Sequence, residues 1–445
     1  MSIQFPDPTS RSAALFERAR RVMPGANTRH MVVFPPYTIY AERGEGCRLW
    51  DVDGNMYYDW VNNFSTQIHG YCFPPIVEAV DAQLRRLACC ILPSETEVEL
   101  AELLVERMPA VDQIRFANSG TEAVMVAIKG ARGLTGRSRI AKSEGGYHGQ
   151  FDLVEASFLP VPESWGPAER PVATPFGRGT PQSLLDEALI FPFNDTEKTL
   201  ALLEAEAGNL AAVIIDPIPP RLGFTPAQGS FLRALRDYCS RTRTVLIFDE
   251  VFVNRVGFHG AHGYLDVLPD MIVMGKIIGG GLPVGAVGGS VEAMSVFDNL
   301  AGPLRVSHSG TFTANPLTMA AGLACMRALD EAAFAKLAAD GEALRSGLNK
   351  AIDEAGLEMR AVGVASMTSL QFFRESISNY REFHSRSGSG YLERMKRLHR
   401  CLLREGVLMA TRGMFIGSTA FGQFEIEDTI ARAARAFREF AWNQE

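Results

Sequence analysis

The sequence predicts an α/β protein, with a large, mostly parallel sheet domain joined to a smaller α+β domain. Three observations predict it. From about Glu95, short runs rich in Val and Ile alternate with helical stretches, the pattern of a parallel sheet buried on both faces. After Pro316 the chain turns helix-rich, then alternates short strands with further helices. Hydrophobic residues at 47% and charged residues at 21% over 445 positions suit a globular chain with a large core and room for more than one domain.

In chain order, Ser10–Met23 reads as an amphipathic helix stopped by Pro24-Gly25. Within Gly46–Val61, two β-rich runs flank Asp53-Gly54, residue types that tolerate the positive φ of a tight hairpin turn. The clearest buried strands are Gln113–Ala117, Ala211–Ile215, Val245–Phe248 and Met271–Val273. Pro160–Pro181, rich in Pro and Gly, is the expected irregular excursion. Leu317 to Asp353 reads as helical and Ser366–Phe372 as a strand. These elements divide the chain into an N-terminal segment (1–65) that joins the small domain, a large domain (66–320) and a C-terminal small domain (321–445).

A net charge of −7 and a pI near 5.7 argue against nucleic acid or an anionic membrane as a partner. The seven cysteines are scattered without a CxxC pair, so neither a disulfide framework nor a zinc site is expected. Met1–Ser12 has no signal-peptide core, and nowhere do about eighteen apolar residues run together. A cytoplasmic protein without a membrane span is the expectation.

Chemistry is carried by a few segments. Phe116–Ala123 runs from a strand end through Asn118-Ser119-Gly120-Thr121 into a helix, whose first amides could cradle a phosphate. Alone, it reads more readily as a capped helix. Thr244–Val251 ends an apolar strand in Asp249-Glu250, at the sheet edge where ligands sit in this fold class. Such a pair suits magnesium, a cofactor ring nitrogen, or plain solvent. Met274-Gly275-Lys276 leads into Gly279-Gly280-Gly281, so a lysine follows a buried strand beside a backbone free of side chains. A desolvated lysine of lowered pKa is what imine chemistry needs. No GxxxxGK[ST] occurs, which weakens the nucleotide-hydrolase reading of Asp249-Glu250. Gly145–Gly149 holds Tyr147 and His148 between glycines, a place for stacking on a flat ring. Ser309–Pro316 places Thr311 in another turn before a helix.

With these motifs in place (SGTEA, GGYHG, the strand ending in Asp249-Glu250-Val251, Lys276, GGGLPVG and GTFTANP), the sequence resembles the class III aminotransferases. These are fold type I enzymes dependent on pyridoxal 5′-phosphate. The resemblance runs over nearly the whole chain. Within the class it is similar to the branch holding glutamate-1-semialdehyde aminomutase and the D-phenylglycine and β-phenylalanine aminotransferases. It implies that Lys276 carries the cofactor as an imine and moves the substrate proton, and that Asp249 pairs with the pyridine nitrogen. It further implies that Ser119, Gly120 and Thr121 hold the phosphate, and that Tyr147 and Val251 lie against the two ring faces. Thr311 would reach the phosphate of a neighbouring subunit, so a homodimer with shared sites is expected.

Arg29, after the turn at Pro24-Gly25, and Arg412, before the strand Met414–Ser418, match positions from which the resemblance implies a grip on a substrate carboxylate. The region before Ser418 and the segment Gly302–Gly310 lack features associated with the aminomutase. The expected activity is therefore ping-pong exchange of an amino group between a β- or aromatic amino acid and a 2-oxo acid. The alternatives are the aminomutase, a transaminase of amines without a carboxylate, and a non-catalytic regulator that binds the cofactor. Departures from the family pattern at Phe73-Pro74, Asp216-Pro217, Pro219-Pro220 and Phe252–Arg255 cluster where substrate preference would be set.

Overall fold

The computed structural model describes residues 3–442 except 33 and 301, so the outer ends of the two expected terminal segments fall outside the described residues. The chain forms two compact units, one of 1–74, 335–376 and 384–445, the other of 75–334 and 377–383. No helix among the described residues is long and apolar enough to cross a membrane.

The first unit opens with the helix Arg11–Arg20, capped by Ser10, whose side chain accepts from the Ala13 amide. Strands β1 (Ala41–Glu45), β2 (Arg48–Asp51) and β3 (Met56–Asp59) form an antiparallel ribbon. The predicted turn sits between β2 and β3, where Gly54 has φ +84° and Asp51 accepts from the Asp53 and Asn55 amides.

The second unit holds the large sheet: β4 (Gln113–Ala117), β5 (Arg139–Ser143), β6 (Ala188–Phe191), β7 (Leu210–Ile215), β8 (Val245–Asp249), β9 (Met271–Gly275) and β10 (Gly285–Gly289). Their order is β4-β10-β9-β8-β7-β5-β6. Among the described residues, every pairing in this sheet is parallel except those of β10, which runs antiparallel to both β4 and β9. β4 therefore points the same way as β9, and the carboxyl ends of β4, β5, β7, β8 and β9 share one edge. β7, β8 and β9 are buried along their full length, which is why they read as continuous apolar runs. No helix or strand lies between Ala156 and Pro181, as the Pro and Gly content predicts.

The rest of the first unit carries a three-stranded antiparallel sheet of β11 (Arg360–Val364), β12 (Met367–Gln371) and β14 (Met414–Ile416), while β13 (Val407–Leu408) joins β3 in parallel. The helical stretch after Pro316 is two helices, Pro316–Ala328 and Glu331–Glu354.

Candidate active site

Five chain segments converge at the carboxyl edge of the large sheet, and each brings one kind of group. β9 delivers Lys276, held at φ +51° at the start of a short 3-10 turn. A non-glycine residue in the left-handed region is uncommon and marks a position the surroundings enforce. Its Nζ lies 5.0 Å from the centre of the Phe252 ring, and no hydrogen bond to Nζ occurs among the described residues. The residue keeps part of its surface open, yet its amine sits deep: burial, opposed by the charges of Asp249 and Asp216, brings its pKa down to about 8.

β8 delivers the acidic pair, and the two carboxylates go separate ways. Asp249 accepts from the Val251 amide at 3.1 Å, and its Oδ2 stands 2.8 Å from Nδ1 of His148. Glu250, fully buried, turns into the protein. It accepts from the Ala261 amide at 2.8 Å, from the His262 amide at 2.9 Å and from Asn254 Nδ2 at 3.2 Å, with His262 Nδ1 at 2.7 Å. A carboxylate so fully occupied is structural. That leaves Asp249 as the less committed acid of the pair, the one to which the resemblance gave the cofactor's ring nitrogen.

β7 leads to Asp216, whose carboxylate accepts from the Ile218 amide at 3.0 Å. Burial, with the negative charge of Asp249 nearby, pushes its pKa well up. A second acid beside Asp249 was legible only as a departure in the motif Asp216-Pro217.

β5 runs into the Gly145–Gly149 turn. Tyr147 keeps 46% of its surface exposed and packs its ring 4.8 Å from that of Phe158. The Arg221 guanidinium covers Phe158 at 3.9 Å. His148 is enclosed: burial holds its pKa down against the pull of Asp249, so the imidazole is neutral and donates from Nδ1 to the carboxylate. The sequence offered His148 as a stacking ring; the structure places it on Asp249 instead.

β4 leads to Ser119, the cap of the helix Gly120–Thr135, whose Oγ accepts from the Glu122 amide. The capped-helix reading is thus correct in itself, and it leaves the Gly120 and Thr121 amides as the helix's first, without intrahelical acceptors. A Cβ on Gly120 would stand 2.8 Å from Cγ1 of Val251, so only glycine lets the helix start approach the β8 end this closely. Thr121 Oγ1 accepts from the Gln150 amide at 3.2 Å, tying the helix start to the Tyr147 turn.

Ser119, Gly120, Thr121, Tyr147, His148, Asp249, Val251 and Lys276 therefore share one sheet edge within one compact unit. Thr311 lies in the same unit on an exposed turn, and no hydrogen bond among the described residues joins it to these groups. Arg29 and Arg412 belong to the other unit, where Arg29 donates from Nη1 to Asn63 at 2.6 Å.

The mixed α/β build, with its large and mostly parallel sheet, matches the pyridoxal-phosphate-dependent transferases of fold type I. The model of the family "Aminotransferase class-III" matches residues 32–422. The chain belongs to this family, and it is an enzyme whose cofactor is pyridoxal 5′-phosphate. It is 36% identical over 438 residues to a glutamate-1-semialdehyde 2,1-aminomutase of Methanopyrus kandleri, covering 98% of this chain and 97% of the relative. Among solved structures, an omega-transaminase from Sphaerobacter thermophilus matches with a TM-score of 0.93 and 45% identity over 98% of this chain and 99% of that one. A β-phenylalanine aminotransferase from Variovorax paradoxus matches with a TM-score of 0.82 and 32% identity, covering 97% and 94%.

Proposed function

We propose that the chain is an aminotransferase that moves an amino group from a β- or aromatic amino acid to a 2-oxo acid, in two half-reactions at one site. The observation that carries this reading is the Lys276 amine, brought to about pKa 8 by burial and facing Asp249 and Asp216 at the sheet edge. An amine of that pKa is a ready nucleophile and proton carrier near neutrality.

The residues present fit the cofactor. The Gly120 and Thr121 amides, with the Ser119 and Thr121 hydroxyls beside them, would hold its phosphate at the positive end of a helix. Tyr147 and Val251 would bracket its ring. Asp249, steadied by His148, would keep the ring nitrogen protonated. When bound, pyridoxal phosphate supplies an electron sink that makes the C–H bond on the substrate's amine-bearing carbon acidic. Lys276 would take up that proton at Nζ and hand it on. Asp216, whose pKa is pushed well up by burial and by the charge of Asp249, lies close enough to Lys276 to help hold the proton there.

Arg29 and Arg412 are the proposed carboxylate grips, each able to make a bidentate contact. The named activities of the Sphaerobacter and Variovorax proteins favour a β-amino acid or an amine as donor. A homodimer is proposed because large apolar side chains stand in solvent on the catalytic unit: Ile91 is 99% exposed, Leu300 94% and Phe312, beside Thr311, 60%. A partner subunit would cover them, and Thr311 would then serve the neighbouring site. A cytoplasmic location is proposed with it.

The kinship to named aminomutases favours a second reading, isomerisation of glutamate 1-semialdehyde. Half-reactions read by absorbance separate the two. With the donor alone, β-phenylalanine should convert the lysine-bound cofactor band to that of the amino form, and pyruvate should restore it. Conversion by 4,5-diaminovalerate and not by β-phenylalanine would establish the aminomutase. Conversion by 1-phenylethylamine alone would establish an amine transaminase, and none with any donor a cofactor-binding regulator.

A further inference from the structure

The catalytic unit encloses a second lysine, Lys142 on β5, only 1% exposed. An ammonium is costly to bury, so a lysine in this position needs compensating contacts. Its Nζ donates to the Gly146 carbonyl at 3.1 Å and to the Ala156 carbonyl at 2.6 Å. These two carbonyls bracket the stretch that bears Tyr147 and His148, whose one regular piece is the short helix Asp152–Glu155. His148 itself is held at Asp249 by a single hydrogen bond, and its buried Nε2 has no partner among the described residues. Side-chain bonding therefore does little to fix the imidazole, and the course of the backbone through the turn decides where it sits.

We propose that Lys142 is a positioning residue of the active site: by tying Gly146 to Ala156 it fixes the turn that delivers His148 to Asp249. The inference rests on Asp249 being the partner of the cofactor's ring nitrogen. Burial lowers the pKa of Lys142 to about 7, with Glu144 holding it up and Arg221 pressing it further down. Both the ammonium and the amine keep at least two N–H donors, so two carbonyls stay served on either side of neutrality. Glu144, in turn, is paired bidentately with Arg381 at 2.8 and 2.9 Å, which keeps its carboxylate from competing for the Lys142 amine.

The test is a double-mutant cycle on the loaded enzyme, read as the rate of cofactor release into a trap and as the visible circular dichroism of the bound cofactor, alongside kcat and KM. Lys142→Met keeps the length and removes the donors. It should speed release about tenfold and lower kcat about tenfold, with KM for the donor within about twofold. In a His148→Ala background the same substitution should change release less than about twofold, because the group it acts through is gone. Lys142→Gln, which retains a donor, should recover part of the loss, and it replaces the methionine variant in the cycle if that one does not fold. A wild-type release rate in Lys142→Met, or the same loss with and without His148, overturns the proposal. So does a lower Tm with release and dichroism unchanged, which would mark a purely structural lysine. A chain that bound no pyridoxal phosphate would overturn the reading of Asp249 as well, whereas a loaded chain indifferent to Lys142 overturns this inference alone.

Discussion

The ends of β5 and β9 each carry a lysine at the same edge of one sheet, and burial depresses the pKa of both, to about 7 for Lys142 and about 8 for Lys276. They differ in what surrounds the amine. Lys142 is closed off and spends its donors on two backbone carbonyls. Lys276 keeps part of its surface open, makes no hydrogen bond from Nζ among the described residues, and meets two carboxylates only at longer range. A lowered pKa therefore does not mark a catalytic lysine by itself. What separates the two is whether the donors are already committed. Lys142 has bonds to lose, while Lys276 has a cost it can recover only by forming a new bond.

The largest test of that contrast is catalytic. Lys276→Ala should lose the cofactor attachment that borohydride reduction makes permanent and lower kcat by about a thousandfold or more, since the nucleophile and the proton carrier go together. Mass spectrometry of the reduced protein and steady-state turnover are the measurements. Turnover at the native rate in that variant would break the assignment of the two lysines at its root.

Much of this contrast was legible in the sequence, and the missing part has a physical reason. Lys276 stood out because three glycines follow it, and Asp249 because an apolar strand ends on it. The strands Ala211–Ile215, Val245–Phe248 and Met271–Val273 were legible because they are near-continuous apolar runs. β10, Gly285–Gly289, was not, because three of its five residues are glycines, and it is also the strand that breaks the parallel order. Lys142 went unread although it carries a signal of its own, a charged residue inside a buried strand. The fate of Glu250 could not be read at all: its partners Ala261 and His262 lie beyond a turn, and only the folded chain brings their amides to it. His148 was read as a ring because its flanking glycines say nothing of which side chain it will meet.

A second test compares the two lysines by stability in the cofactor-free protein. Lys276→Met at pH 7 should raise stability by about 2 kcal/mol, because it removes an ammonium that folding takes out of water. Lys142→Met should lower it by about 2 kcal/mol, since two buried carbonyls lose their donor. Denaturant melts of the two variants give the signs directly. If both variants shift the same way, committed hydrogen bonds are not what distinguishes the lysines.

The smallest effect is the pH dependence, and it sharpens the comparison by isolating Lys276. Its folded pKa of about 8 lies below the unfolded value of 10.5, so folding releases a proton between those limits. The cost of burial is fully present below about pH 8 and fades as pH rises towards the unfolded value. The advantage of Lys276→Met should therefore shrink steadily above about pH 8 and be nearly gone by about pH 11. The same titration should appear in reconstitution. Uptake of pyridoxal phosphate by the cofactor-free protein needs the neutral amine, so its rate should rise about tenfold per pH unit below about 8 and level off above it. A rate flat from pH 6 to pH 9, by stopped-flow absorbance, would mean that the amine is neutral throughout or that another step limits uptake. The two carboxylates facing Lys276 would then hold less of the proton than their placement implies.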